Sequence, residues 1–198
     1  MHEVPKLDEA AIAARVRQEL SAQRFQHVEG VVKTAAELAA RHGADVAKAR
    51  LAAWLHDIAR EWPAERLAEY ARRMSVPDEF GDDPLLWHGP VAAALASAWF
   101  GVEDADVANA IRYHTTGRAG MSTLEMVVFL ADAIEPGREY PGVDHLRALA
   151  ETDLLRAVAE AIDATISYLI ATHRNIVPLT VVARNDLWQK VQQRPRRT

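Results

Sequence analysis

The 198-residue chain has no cysteine. That excludes disulfides, thiolate zinc sites, iron–sulfur clusters and cysteine nucleophiles. No apolar run approaches the roughly 20 residues a membrane-crossing helix needs. The start, Met1-His2-Glu3-Val4-Pro5-Lys6, lacks the basic stretch and apolar core of a signal peptide, so the expectation is a cytoplasmic protein without a membrane partner. A GxxxxGK phosphate loop and a GxSxG nucleophile elbow are both missing. Positive charge is in deficit, with 23 Lys and Arg against 28 Asp and Glu, which argues against a nucleic-acid partner. Only the short Arg194-Pro195-Arg196-Arg197 end is basic, and residues 191–198 read as a disordered tail. Strand-like alternation is scarce, and Asn175-Ile176-Val177 is too short to count. A hydrolase built under these exclusions is left with metal-activated water as its most economical chemistry.

What is there is helical. Val28, Val31, Val32, Ala35, Leu38 and Ala39 form one apolar stripe, closed by Gly43 as a C-cap. Asp45 can cap the next helix, which carries Val46, Ala49, Ala52 and Ala53. Pro63 suits the first turn of a helix running toward Met74. Gly89 and Pro90 precede an apolar helix from Val91 to Trp99, and Asp104 caps Val107 to Tyr113. Ser122-Thr123-Leu124-Glu125 is a capping-box pattern for a helix that ends before Pro136-Gly137. Asp153 starts a long helix through Leu169, and Thr180 starts the last one. Pro77 to Pro84 is the most loop-like internal stretch, too short for a linker. The reading is one all-α domain over residues 24–190, with an N-terminal helix in residues 1–23 and additional C-terminal helices. Self-association through the apolar C-terminal helices, giving a homodimer, fits the same pattern.

Four of the eight histidines sit where a helix face or end can point inward: His27, His56, His88 and His114. His88 is read at a helix start. Asp57 follows His56 directly, and Asp132 lies inside the run Val127 to Ile134, where a carboxylate is costly to bury without a cation or full hydrogen bonding. Taken singly, each histidine is more simply a satisfied core residue, and a His-Asp pair is common by chance. His2, His42, His145 and His173 read as solvated. Together, though, His27, His56-Asp57, His88, His114 and Asp132 come from different helices, each at an inward or end position. Imidazole nitrogens and carboxylate oxygens suit first-row metal ions. A carboxylate such as Asp57 can bridge two of them, forming the paired-metal clamp used for displacement at phosphorus.

Longer stretches carry a family resemblance. They are Arg24-Phe25-Gln26-His27-Val28, Leu55-His56-Asp57-Ile58-Ala59-Arg60-Glu61, His88-Gly89-Pro90-Val91, Ala110 to Arg118, Leu130 to Arg138 and Ala183 to Leu187. The chain resembles the HD superfamily, and more narrowly the bacterial YqeK family of symmetrical diadenosine tetraphosphate hydrolases. The resemblance implies an HD-domain helical bundle. It also implies a two-metal site, iron first, with Mn, Co, Zn or Mg as alternatives. His27, His56, Asp57 and Asp132 would hold one ion, and Asp57, His88 and His114 the other, with His56 and Asp57 at the catalytic centre. Arg24, Arg60, Thr115, Thr116, Gly117, Arg118 and Arg138 are the expected contacts to a nucleotide polyphosphate. Two departures stand out: Arg60 where lysine is commoner, and Ala133 where a larger residue is usual.

The implied reaction is attack of metal-activated water on an inner phosphorus, cutting diadenosine tetraphosphate into two ADP. Other nucleotides, including nucleoside di- and triphosphates or guanosine alarmones, would use the same ligands. A non-catalytic metal and nucleotide sensor would need the ligands without the rate, and a helical adaptor would carry no metal.

Overall fold

A computed structural model describes residues 8–194. His2 and residues 195–198, where part of the basic end was expected, lie outside the described residues. Among the described residues there are ten α-helices and no strand. They are α1 (Glu9–Glu19), α2 (Ala22–His42), α3 (Val46–Leu55), α4 (Ala64–Arg73), α5 (Pro84–Phe100), α6 (Ala105–Arg112), α7 (Thr123–Ile134), α8 (Val143–Ala150), α9 (Leu154–Ala171) and α10 (Pro178–Gln193). No described helix is long and apolar enough to cross a membrane.

The most buried helix is α7. It packs on α2, α3, α6, α8 and α9, and its run Val127 to Ala131 is wholly buried. Its start is fixed by the expected capping box. Ser122 Oγ accepts from the Glu125 N–H, and the Glu125 carboxylate accepts from the Ser122 N–H. Helix α2 presents Phe25, Val28, Val31, Val32, Ala35, Leu38 and Ala39 to the core and stops at Gly43, whose φ of 75° is left-handed. Helix α3 packs on α2 and buries Ala49, Ala52 and Ala53, small enough for close approach of helices. Asp45, Asp104 and Asp153 each accept from an N–H in the first turn they precede. Helix α1 is anchored by tryptophans: Trp54 Nε1 donates to Glu9 and Trp62 Nε1 to Glu19, at 2.7 and 2.8 Å.

Several boundaries differ from expectation. The helix expected from Val91 already begins at Pro84, with Asp83 accepting from the Leu85 N–H and Pro84 in the first turn. Pro90 lies inside it. A proline removes one N–H, but a buried helix held on both sides tolerates the loss. His88 therefore lies within the helix rather than at its start. Helix α10 opens at Pro178 instead of Thr180 and continues to Gln193. Residues 191–193 are thus helical, and Arg194 Nη1 meets Asp153 Oδ1 at 2.7 Å, so the tail begins later than expected. Helix α8 has no counterpart in the expected elements. His42 is not simply solvated: its Nε2 lies 2.7 Å from the Ala150 carbonyl and ties the end of α2 to the end of α8. His145 and His173 are exposed, as expected. Tyr168, Ile170, Val181 and Val182 are exposed apolar residues on α9 and α10, the helices on which self-association was expected.

Gly89 sets the spacing between α5 and α6. A Cβ there would stand 2.7 Å from the Arg112 carbonyl oxygen. That neighbour is backbone and cannot rotate away. Gly89→Ala is therefore expected to destabilise the protein by about 1–3 kcal/mol, the usual cost of overpacking, although alanine is the better helix former. Urea denaturation checks this; an unchanged midpoint would show that the two helices can separate freely.

Candidate metal centre

His27 lies early on α2, and His56 caps α3 with Asp57 in the turn that follows. His88 is on α5, His114 follows the end of α6, and Asp132 lies in the last turn of α7. All six side chains converge, in overlapping groups whose ligand atoms lie within 4.8 Å of one another. His56, Asp57, His88 and His114 are buried.

The ring nitrogens facing away from the centre decide how the imidazoles are protonated. His56 Nδ1 meets the Ala53 carbonyl at 2.6 Å, His88 Nδ1 meets Leu85 at 2.5 Å, and His114 Nδ1 meets Ile111 at 2.7 Å. His27 Nδ1 meets Glu135 Oε1 at 3.0 Å. Each of these partners only accepts, so Nδ1 carries a proton, and in the neutral ring Nε2 turns a lone pair inward.

Inside, those lone pairs face other lone pairs. Asp57 Oδ2 lies 3.5 Å from His56 Nε2 and 3.8 Å from His27 Nε2. Its Oδ1 lies 3.3 Å from His88 Nε2 and 3.6 Å from His114 Nε2. Asp132 Oδ1 lies 3.0 Å from His27 Nε2. His88 Nε2 and His114 Nε2 are 3.0 Å apart. The buried Nε2 atoms of His27 and His56 have no hydrogen-bond partner; the Asp132 oxygen is close to His27 but out of line with any N–H. Buried acceptors arranged this way are costly unless cations lie between them. The donor set of imidazole and carboxylate, without sulfur, suits first-row divalent ions. These residues therefore fit a metal centre, with the two oxygens of Asp57 turned toward two different histidine pairs.

Burial and charge tune the same groups. Burial pushes His56 down to about 4, which keeps it neutral near pH 7 and free to ligate. His88 is lowered for the same reason. Burial alone would raise Asp57, yet the surrounding imidazoles, His56 foremost, hold it well below the ordinary carboxylate range. Asp132 behaves alike: burial opposes its charge, but His27, His56 and Arg138 hold it low.

A family model described as HD domain matches residues 24–137, more than half of the chain. This chain belongs to the HD-domain family. Similar proteins share nearly its whole length. "Bis(5'-nucleosyl)-tetraphosphatase, symmetrical" of Bacillus subtilis is 45% identical, over 90% of this chain and 96% of that protein. The protein of the same name from Staphylococcus aureus is 34% identical, over 85% and 89%. A crystal structure from Clostridium acetobutylicum, described as a predicted HD superfamily hydrolase involved in NAD metabolism, superposes with a TM-score of 0.88. It is 38% identical and covers 92% of this chain and 98% of its own. The His56-Asp57 pair thus sits at the centre of an HD fold.

Two cavities open onto this HD centre. One, of about 570 Å³, borders His27; the other, of about 240 Å³, borders His88 and His114. Arg24 and Arg138 line both. Arg24 Nη1 lies 3.2 Å from Asp57 Oδ2, and Arg138 Nη2 lies 2.6 Å from Asp132 Oδ1. Arg60 and Thr115 line the smaller cavity, and Thr115 Oγ1 is 3.1 Å from His114 Nε2.

The rest of the Thr115 to Arg118 loop is engaged elsewhere. Thr116 reaches the cavity wall, but its buried hydroxyl donates to the Gly117 carbonyl. The Gly117 N–H donates to the Tyr113 carbonyl at 2.8 Å, and its left-handed backbone packs near Ala183 and Ile162. Arg118 lines neither cavity. Its Nε and Nη2 bind Glu125 Oε1 at 3.0 and 2.6 Å. The expectation that Gly117 and Arg118 face phosphate is not met by these positions, because the capping carboxylate of α7 holds the arginine.

Three residues of consequence are absent from the expected set. Glu135, buried at the end of α7, accepts from His27 Nδ1 and from the Gly137 N–H at 2.6 Å. Its spacing from Asp132 is the available signal: three residues apart, two carboxylates share one helix face. Gly30 packs directly on Glu135. Arg147 donates to the carbonyls of Ile134, Glu135 and Arg138 and so clamps the turn after α7.

Proposed function

We propose that the chain hydrolyses diadenosine tetraphosphate symmetrically, giving two ADP, at a centre that holds two metal ions. Iron is the first choice, with Mn, Co, Zn or Mg as alternatives. The observation that carries the reading is Asp57, with one oxygen toward His27 and His56 and the other toward His88 and His114. The substrate is supported by the relatives named as symmetrical tetraphosphatases that match almost end to end. When bound, the metal ions supply an activated water and positive charge at the scissile phosphorus.

The chain's own residues do the rest. His27, His56, Asp57 and Asp132 hold one ion, and Asp57, His88 and His114 the other. Arg24 and Arg138 lie against the two ligating carboxylates and open on both cavities, so they can meet the non-bridging oxygens of a polyphosphate. Arg60 adds charge from the wall of the smaller cavity.

The test is product analysis of the metal-loaded protein by chromatography. ADP as sole product of the dinucleotide supports the reading. AMP with ATP, or no cleavage, rejects it.

The role of Arg118 separates in the same assay. Arg118→Ala and Glu125→Gln are expected to lower kcat/KM by similar factors, since each frees the same loop. A loss confined to Arg118→Ala would instead make the guanidinium a direct phosphate contact.

A further inference from the structure

A dinucleotide cut at its middle has two equal ends, and the metal centre has two cavities that differ in their walls. The larger, on the His27 side, is bordered by α2 and by the turn after α7. The smaller, on the His88 and His114 side, is bordered by the start of α5 and the α9–α10 connection. Only Arg24 and Arg138 belong to both, and each lies against a carboxylate of the centre. A chain of phosphates crossing between these two arginines would emerge into a cavity at either end.

Each cavity also offers a carboxamide that makes no side-chain hydrogen bond among the described residues. Gln23 and Gln26 line the larger one. Asn175 lines the smaller, beside the apolar side chains of Leu86, Leu169 and Val177. A carboxamide presents one donor and one acceptor side by side. That pattern complements the exocyclic amine and N7 of adenine, whereas guanine offers two acceptors there. In the smaller cavity the aliphatic groups of Leu86, Leu169 and Val177 suit the flat face of a base, and in the larger Pro136 is the apolar side chain on the wall.

We propose that the two cavities are the two nucleoside subsites of this enzyme, with Gln26 and Asn175 selecting adenine in one and the other. The inference rests on the dinucleotide reading above and adds where each half binds and which residues read the bases.

The test uses the full chain loaded with metal, titrated calorimetrically with ADP. Two ADP bound per chain are expected. Asn175→Ala and Gln26→Ala should each weaken one of the two ADP sites by about tenfold, the low end for a lost bidentate base contact. Each should also narrow the preference for diadenosine over diguanosine tetraphosphate. Binding of inorganic tripolyphosphate should stay at the parent level in both variants, a readout that collapse of either cavity wall would move. A single ADP per chain overturns the proposal, and so does an unchanged base preference in both variants. These failures are distinct from failure of the proposed reaction, in which the parent protein would not convert the dinucleotide to ADP at all.

Discussion

Asp57→Ala is expected to lower hydrolysis of diadenosine tetraphosphate by at least about a thousandfold, as for removal of a residue on which the whole centre depends. The reason is geometric. Asp57 is the single side chain whose two oxygens address both halves of the centre, Oδ2 toward His27 and His56 and Oδ1 toward His88 and His114. Without it, His88 and His114 lose their only carboxylate ligand, and His27 and His56 are left with Asp132 alone. Metal content after gel filtration should fall together with the rate. Asp57→Asn sharpens the point, because it keeps the volume but leaves one oxygen and one amide nitrogen, which donates and cannot ligate. It can serve one half of the centre only, so bound metal should drop and turnover should still fail. The fold is expected to survive both changes. His56, His88 and His114 stay bonded through Nδ1 to backbone carbonyls, and Arg24 keeps about a quarter of its side chain in water. Circular dichroism and gel filtration check that. A variant that hydrolyses the dinucleotide at near the parent rate would remove Asp57, and with it the bridged centre, from the mechanism.

The ligands were legible because each announces itself locally. His27, His56, His88, His114 and Asp132 are polar groups on otherwise apolar helical faces, and the stretches around them resemble one family. Caps were legible for the same reason: Ser122 with Glu125, Asp45, Asp104 and Asp153 act within one turn of themselves. Pro90 misled because proline marks helix starts more often than interiors, and only the tertiary contacts of α5 show that it is carried inside. Arg118 misled differently. Its position in the loop points to phosphate, but Glu125 caps α7 with Oε2 and has Oε1 to spare for the guanidinium. Glu135 and Arg147 act across the chain, on His27 and on the turn after α7; the spacing from Asp132 marks Glu135, but no local pattern encodes its partner or that of Arg147. The cavities are further still from the sequence, since their walls come from elements far apart along it.

Gly30→Ala is expected to weaken metal binding by about 10–100-fold, the range for loss of a group that orients a metal-ligating histidine, although residue 30 touches no ligand atom of the centre. A Cβ at this position would stand 2.5 Å from Glu135 Oε2. The end of a glutamate ordinarily swings aside, but here both oxygens are held. Oε2 accepts from the Gly137 N–H and Oε1 from His27 Nδ1, in a side chain that is almost wholly buried. Moving the carboxylate releases His27 from the orientation that aims Nε2 inward. Stability measurements alone would understate this, because alanine is favoured over glycine inside a helix by about 1 kcal/mol and that gain offsets part of the clash. Metal affinity carries no such offset. Glu135→Ala should produce a comparable loss by removing the acceptor itself. The double variant then decides the mechanism: with the carboxylate gone, the added methyl has nothing to strike. Its affinity should equal that of Glu135→Ala alone, a coupling of the kind a double-mutant cycle reads directly. Losses that simply add, or parent-level metal binding in Gly30→Ala, would show that His27 is held in place by something other than Glu135.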